Sequence, residues 1–132
     1  MITATHALVI KPKQFPVRRL TVEPQFVDPP AGEIARIQRE SALQQSIFDS
    51  VSVTRHWRGP FRAPLDVTPS GNFGSRSVFN GQSRSPHAGV DFGARIGTPI
   101  SAPAAGVVVL AEPLYFTGNT VVIDHGLGLN LM

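Results

Sequence analysis

The second half of the chain alternates short apolar runs with turn residues. Two β-branched runs, residues 107–110 and 121–123, are separated by Pro, Gly and Asn, a pattern typical of strands joined by tight turns. The spacing leaves no room for crossover helices, so we predict a mainly antiparallel sheet. The predicted strands are 89–94, 106–112, 120–125 and a last one that begins near Leu127.

The first half has a different pattern. Residues 6–28 contain two short apolar runs, Ala7–Ile10 and Leu20–Val22, divided by prolines that exclude long central strands. Residues 29–50 carry an imperfect apolar stripe at helical spacing, with Asp28 as a candidate cap. We therefore predict a β-rich end of a preceding module or linker over 1–28 and a helix over 29–50. This helix either links two units or packs on the following domain.

Composition narrows the possible functions. Residues 1–62 hold nine Lys/Arg against five Asp/Glu, but these charges are dispersed and lack the interleaved aromatics of nucleic-acid binding proteins. The chain has no Cys, so a metal site must use His and carboxylates. No apolar run has the length of a transmembrane helix, and the first residues do not resemble a signal peptide.

The candidate chemistry lies in residues 85–94. This stretch places His87 four residues before Asp91, and both side chain types bind zinc. Nearby Pro and Gly disfavour a helix, and a straight strand would separate the two residues by about 13 Å. We therefore predict that His87 ends a loop, that Asp91 lies in the following strand, and that Gly89 lets the backbone bend between them.

Several further motifs surround this pair in a fixed order. They are Gly71–Arg76 and Phe79–Gly81 before it, and Gly97–Pro103, Gly106–Val109 and Gly118–Gly126 after it. This series resembles the lysostaphin-type, LytM-like zinc metallopeptidases, which cut peptide bonds in bacterial peptidoglycan. The resemblance covers residues 64–132. It implies that residues 51–132 are the N-terminal part of a peptidase domain, an incomplete antiparallel β-sheet with a groove.

The resemblance also implies the site. His87 and Asp91 match the first two zinc ligands of the family, whereas its third ligand and its two catalytic histidines have no counterpart. We therefore expect a C-terminally truncated, inactive fragment with a weak zinc site. Peptidoglycan peptides are the implied partners, and the cell envelope, periplasmic or secreted, is the implied location. His125 is interpreted as a strand-end residue, although it is the one local histidine that could complete a makeshift site.

Three further residues are candidates for the substrate groove: Arg76, Asn80 and Tyr115. Each also has a structural interpretation. Arg76 could pair with a carboxylate, Asn80 could form a tight turn with Gly81, and Tyr115 could lie at a hairpin tip.

Two other functions compete with a peptidase. One is a non-catalytic LytM-like module that binds the cell wall or regulates other wall hydrolases; the intact His87 and Asp91 argue against it. The other is a carrier domain, because residues 98–106 resemble the hairpin of biotinyl and lipoyl carriers. The only lysines, Lys11 and Lys13, are far from that stretch, which makes covalent attachment there implausible.

Overall fold

The computed structural model describes residues 5–132, and the fold is mainly β with one α-helix, as predicted. Two three-stranded sheets account for all the strands of the described residues. Two single-turn 3-10 helices, Pro24–Phe26 and Ala31–Glu33, precede the α-helix. The elements are β1 (Val17–Leu20), α1 (Ile34–Asp49), β2 (Arg76–Phe79), β3 (Gln82–Ser83), β4 (Val107–Leu114), β5 (Gly118–Asp124) and β6 (Asn130–Leu131).

The C-terminal sheet is antiparallel in the order β4-β5-β6. Alternate residues of β4 and β5 point to one face, where Leu110, Leu114 and Val122 form the buried cluster. Ile47 of α1 packs against this cluster. The two β-branched runs therefore form strands, as predicted, and the helix covers one face of their sheet.

The N-terminal sheet has the order β1-β2-β3 and contains one parallel pair. Strands β2 and β3 form an antiparallel hairpin, whereas β1 pairs parallel to β2. This parallel pairing differs from the antiparallel arrangement predicted for the rest of the chain. It is possible because the connection between β1 and β2 is long and contains α1, which gives the chain room to return in the same direction.

Helix α1 begins after the two prolines at positions 29 and 30, and it lacks the cap that was predicted at Asp28. Its N-cap is Glu33, without a side-chain hydrogen bond, and Asp28 does not cap it. Polar contacts attach the helix to the C-terminal sheet: Glu40 Oε2 accepts a bond from the Tyr115 backbone N–H at 2.7 Å, and Asn130 Nδ2 donates to the Ile47 carbonyl at 3.1 Å. These contacts favour packing on the following domain, while a linker role for residues 29–50 stays a prediction.

Two predicted strands are absent from the described residues. Ala7–Ile10 is extended coil, and Leu8, Val9 and Ile10 are 86–90% exposed because no neighbouring strand pairs with them. Residues 89–94 form only an isolated bridge between Phe92 and Pro69. Asp91 thus lies in irregular backbone beside that bridge, not inside a regular strand. Of the N-terminal module predicted over 1–28, residues 1–4 lie outside the described residues.

No helix within residues 5–132 combines the length and the apolar character that crossing a membrane would require.

Candidate metal site

Both predicted zinc ligands are held by one neighbouring segment, residues 69–75. The backbone N–H of His87 donates to the Ser75 carbonyl at 2.9 Å, and the His87 carbonyl accepts a bond from Gly74 at 2.8 Å. At the other end, the Ser70 N–H donates to the Asp91 carbonyl at 2.8 Å. These bonds fix the backbone on both sides of the bend at Gly89. The two ligands are therefore positioned by pairing rather than by a regular strand.

The side chains of His87 and Asp91 converge. His87 Nε2 lies 3.6 Å from Asp91 Oδ1, and the side chains are 35% and 66% exposed. Two donors that share one tetrahedral zinc ion at ~2.0–2.2 Å lie about 3.4 Å apart. The observed separation is close to that value, and solvent can reach the pair. These two residues therefore fit a zinc ion.

Asn72 contacts both members of the pair. Its Nδ2 donates a short hydrogen bond to Asp91 Oδ2, while its backbone carbonyl lies 3.4 Å from His87 Nδ1. A carbonyl only accepts, so this contact favours the tautomer with the proton on Nδ1. Nε2 is then free of its proton and faces Asp91. Such outer-shell contacts orient metal ligands and fix their tautomers.

The side chain of Asn72 is itself held in place. Ser70 Oγ donates to Asn72 Oδ1 at 2.7 Å, and the Asp91 N–H points to the same oxygen at 3.4 Å. Asn72 belongs to the Gly71–Arg76 motif, but the sequence alone predicts no role for it. The local signal is an Asn between two glycines, Gly71 and Gly74. Such a pattern does not reveal contacts with residues 15 and 19 positions further along the chain.

A third ligand is missing from the described residues. Among residues 5–132, no three His, Cys, Asp or Glu side chains are grouped so that they could hold a metal ion. His125 follows β5, is fully buried, and its Nδ1 lies 2.9 Å from the Ala105 carbonyl. Its ring also packs edge-on against Phe61 at 4.9 Å. The structure therefore does not place His125 with His87 and Asp91.

The three predicted groove residues lie in strands and turns of the two sheets. Asn80 and Gly81 have φ angles of 48° and 85° and form the two-residue turn between β2 and β3. Tyr115 lies at the tip of the β4-β5 hairpin, where its hydroxyl donates to the Gln25 carbonyl at 3.1 Å. Arg76 begins β2, and no ion pair of the described residues involves it. A groove role for these residues stays a prediction.

A separate hollow lies elsewhere on the described residues. It measures about 460 Å³ and its lining includes Ile100, Val121 and Met132, but neither His87 nor Asp91. It lies against the face of the C-terminal sheet that α1 does not cover. The pair of ligands therefore lies outside this hollow.

Comparison with known proteins points to one family. Residues 85–132 match the model of Peptidase family M23. The peptidoglycan DD-endopeptidase ShyA of Vibrio cholerae is 43% identical over 58 residues, which are 43% of this chain and 14% of that protein. A crystal structure assigned to peptidase M23 from Pseudomonas aeruginosa is 36% identical, with a TM-score of 0.64, over 76% of this chain and 39% of that one.

These matches confirm the resemblance derived from the motifs. The chain spans well under half the length of either protein. The matches therefore concern this segment and do not establish the activity of a whole protein. The matched segment contains His87 and Asp91 together with strands β4 to β6. Residues 85–132 thus resemble peptidase family M23, the LytM-like peptidases, in both sequence and fold.

Proposed function

We propose that this chain belongs to a zinc endopeptidase that hydrolyses peptide bonds in peptidoglycan, in the cell envelope or outside the cell. The observation that carries the proposal is the 3.6 Å convergence of His87 Nε2 and Asp91 Oδ1 inside a segment of family M23 sequence. The similarity to a protein named as a peptidoglycan DD-endopeptidase supports the substrate class.

In this proposal His87 and Asp91 hold the zinc ion through nitrogen and oxygen. A bound zinc ion supplies Lewis-acid activation of water and of the scissile carbonyl. Asn72 keeps the His87 ring in the tautomer that presents Nε2 and restrains the Asp91 carboxylate through Oδ2. Its contacts engage Nδ1 and Oδ2, so Nε2 and Oδ1, 3.6 Å apart, stay available to a metal ion and little reorganisation is needed when it binds.

Two ligands give a weak site. Zinc sites in enzymes normally use three protein ligands, and residues 5–132 bring no third donor of these types to the pair. We propose that the 132-residue chain binds zinc with low affinity and does not hydrolyse peptidoglycan alone. Full activity then requires a further ligand and the catalytic groups that the family resemblance implies.

The test is a zinc titration of the metal-free chain, followed by NMR of the His imidazole resonances. We expect saturable zinc binding that shifts the His87 resonances and is lost in His87→Ala and Asp91→Ala. His6→Ala is the matched control, because it removes an exposed His from coil far from the pair in sequence. Binding that survives in His87→Ala, or is lost equally in His6→Ala, would refute the assigned site.

A second candidate is a module that binds the cell wall without cutting it. The presence of only two converging ligands among residues 5–132 favours this alternative. Co-sedimentation with purified peptidoglycan, combined with analysis of released muropeptides, separates the two functions. Retention on peptidoglycan that does not change with zinc or with His87→Ala would favour the module. Zinc-dependent release of muropeptides would favour the peptidase and would contradict the inactivity proposed for this chain.

A further inference from the structure

A cleft with a basic lining lies on the N-terminal sheet. It measures about 420 Å³. Its lining contains one arginine from β1, one from β2 and one that directly follows β3. No acidic residue of the described part of the chain lines the cleft. Its lining includes Arg19, Arg76, Arg84, Val17, Val78 and Pro86.

The register of β1 against β2 creates this arrangement. Val17 pairs with Arg76, and Arg19 pairs with Val78. Because alternate residues of a strand share one face, Arg19 and Arg76 lie on the same face as diagonal neighbours. Arg18 points to the opposite face. The parallel pairing of β1 therefore adds a second guanidinium to the one that β2 supplies.

Two of the three arginines are available to a ligand. Arg84 is engaged within the protein, since its Nη2 donates to the Phe26 carbonyl at 3.1 Å and its guanidinium lies 5.8 Å from the centre of the Phe79 ring. In contrast, the ion pairs found among residues 5–132 involve neither Arg19 nor Arg76. The cleft therefore contains two guanidinium groups, those of Arg19 and Arg76, that have within the described residues neither an ion-pair partner nor a carbonyl contact like that of Arg84.

We infer that this cleft binds a carboxylate group of a peptide. A guanidinium presents paired N–H donors whose geometry matches a carboxylate. The Val17, Val78 and Pro86 side chains provide apolar walls for the carbon skeleton of the ligand. Pro86 immediately precedes His87, so the cleft adjoins the segment that carries the metal ligands. The inference rests on the proposed function, and it specifies free carboxylates as the feature recognised in the substrate.

The binding test uses the metal-free chain, so hydrolysis does not interfere. Muropeptides from purified peptidoglycan, and the same muropeptides with amidated carboxyl groups, are titrated into the ¹⁵N-labelled chain. We expect shifts centred on residues of β1 and β2 with the free carboxylates and much weaker binding after amidation. Arg19→Gln and Arg76→Gln should each weaken binding about tenfold, the effect of losing one charge-assisted hydrogen bond.

Arg18→Gln is the matched control, because it removes the same charge from the same strand but on the other face. Its affinity should stay within about twofold of the unmodified chain. An equal loss in Arg18→Gln, undiminished binding of the amidated muropeptides, or no muropeptide binding would overturn the inference. So would binding of glycerol phosphate in place of the muropeptides, since the cleft would then recognise phosphate.

This outcome is separable from that of the proposed function. The zinc titration depends on His87 and Asp91, whereas the muropeptide titration contains no zinc and depends on Arg19 and Arg76. Zinc binding with muropeptide affinity that ignores both arginines would refute the cleft alone. Carboxylate binding without zinc binding at His87 would leave the cleft in place and refute the peptidase site.

Discussion

Replacing Asn72 with Ala tests whether a residue outside the ligand pair shapes the metal site. The substitution removes the amide that bonds Asp91 Oδ2 but keeps the backbone carbonyl beside His87 Nδ1. Loss of an outer-shell partner typically lowers metal affinity by about 10- to 100-fold. The Asp91 side chain is 66% exposed, so water can replace the lost amide. We therefore expect a loss near tenfold, about 1.4 kcal/mol.

The assay is the zinc titration of the metal-free chain, with affinities obtained from the His87 imidazole resonances. Asn119→Ala is the matched control, since Asn119 is an exposed residue of β5 outside the site. The control should bind zinc as the unmodified chain does. An Asn72→Ala affinity within about twofold of the unmodified chain would refute the reasoning. The backbone pairing of residues 69–75 would then be enough to position both ligands.

Four further substitutions, one of them a control, test the fold, and each is measured by urea denaturation. Gly126→Ala should destabilise by about 3 kcal/mol or more, because its φ is +97° and a Cβ would lie 1.8 Å from a backbone carbonyl oxygen; Gly97→Ala, with φ +87° and open space, should cost only about 1 kcal/mol. Val122→Ala should cost about 2 kcal/mol, since this side chain is fully buried in the core. The N–H of Tyr115 holds the pKa of Glu40 below its ordinary value of about 4.5, with Arg36 adding to the effect. This stabilisation is present above that value and is lost as pH falls through the lowered pKa, so Glu40→Gln should reduce the acid dependence of stability.

The sheets could be predicted only where the strands carry their own signal. Strands β4 and β5 contain β-branched runs and pair with each other across a short turn, so local pattern and final structure agree. The hairpin of β2 and β3 follows from Asn80 and Gly81, which tolerate positive φ. Ala7–Ile10 has a similar apolar pattern but no partner strand. A strand depends on pairing, which a local pattern does not reveal.

The candidate metal site, like the sheets, could be predicted only where the sequence carries a local signal. The spacing of His87 and Asp91 identified two residues that converge, because four residues with a bend at Gly89 bring their side chains together. The contribution of Asn72 depends on pairing between two segments that are 15 or more residues apart. The basic cleft depends on the parallel register of β1 and β2, which was not predicted. Residues joined by such long-range pairing carry no local signal.

One segment connects the two proposed sites. Residues 69–75 form backbone hydrogen bonds with His87 and Asp91 through Ser70, Gly74 and Ser75. The chain then continues directly into β2, which begins at Arg76. The N–H of Arg76 donates to the Pro16 carbonyl at 2.9 Å, which attaches this segment to β1 as well. A displacement of the segment would therefore move the metal ligands and the arginines of the cleft together. For this reason a substitution that perturbs the segment should change both zinc and carboxylate affinity, whereas Arg19→Gln should change only the second.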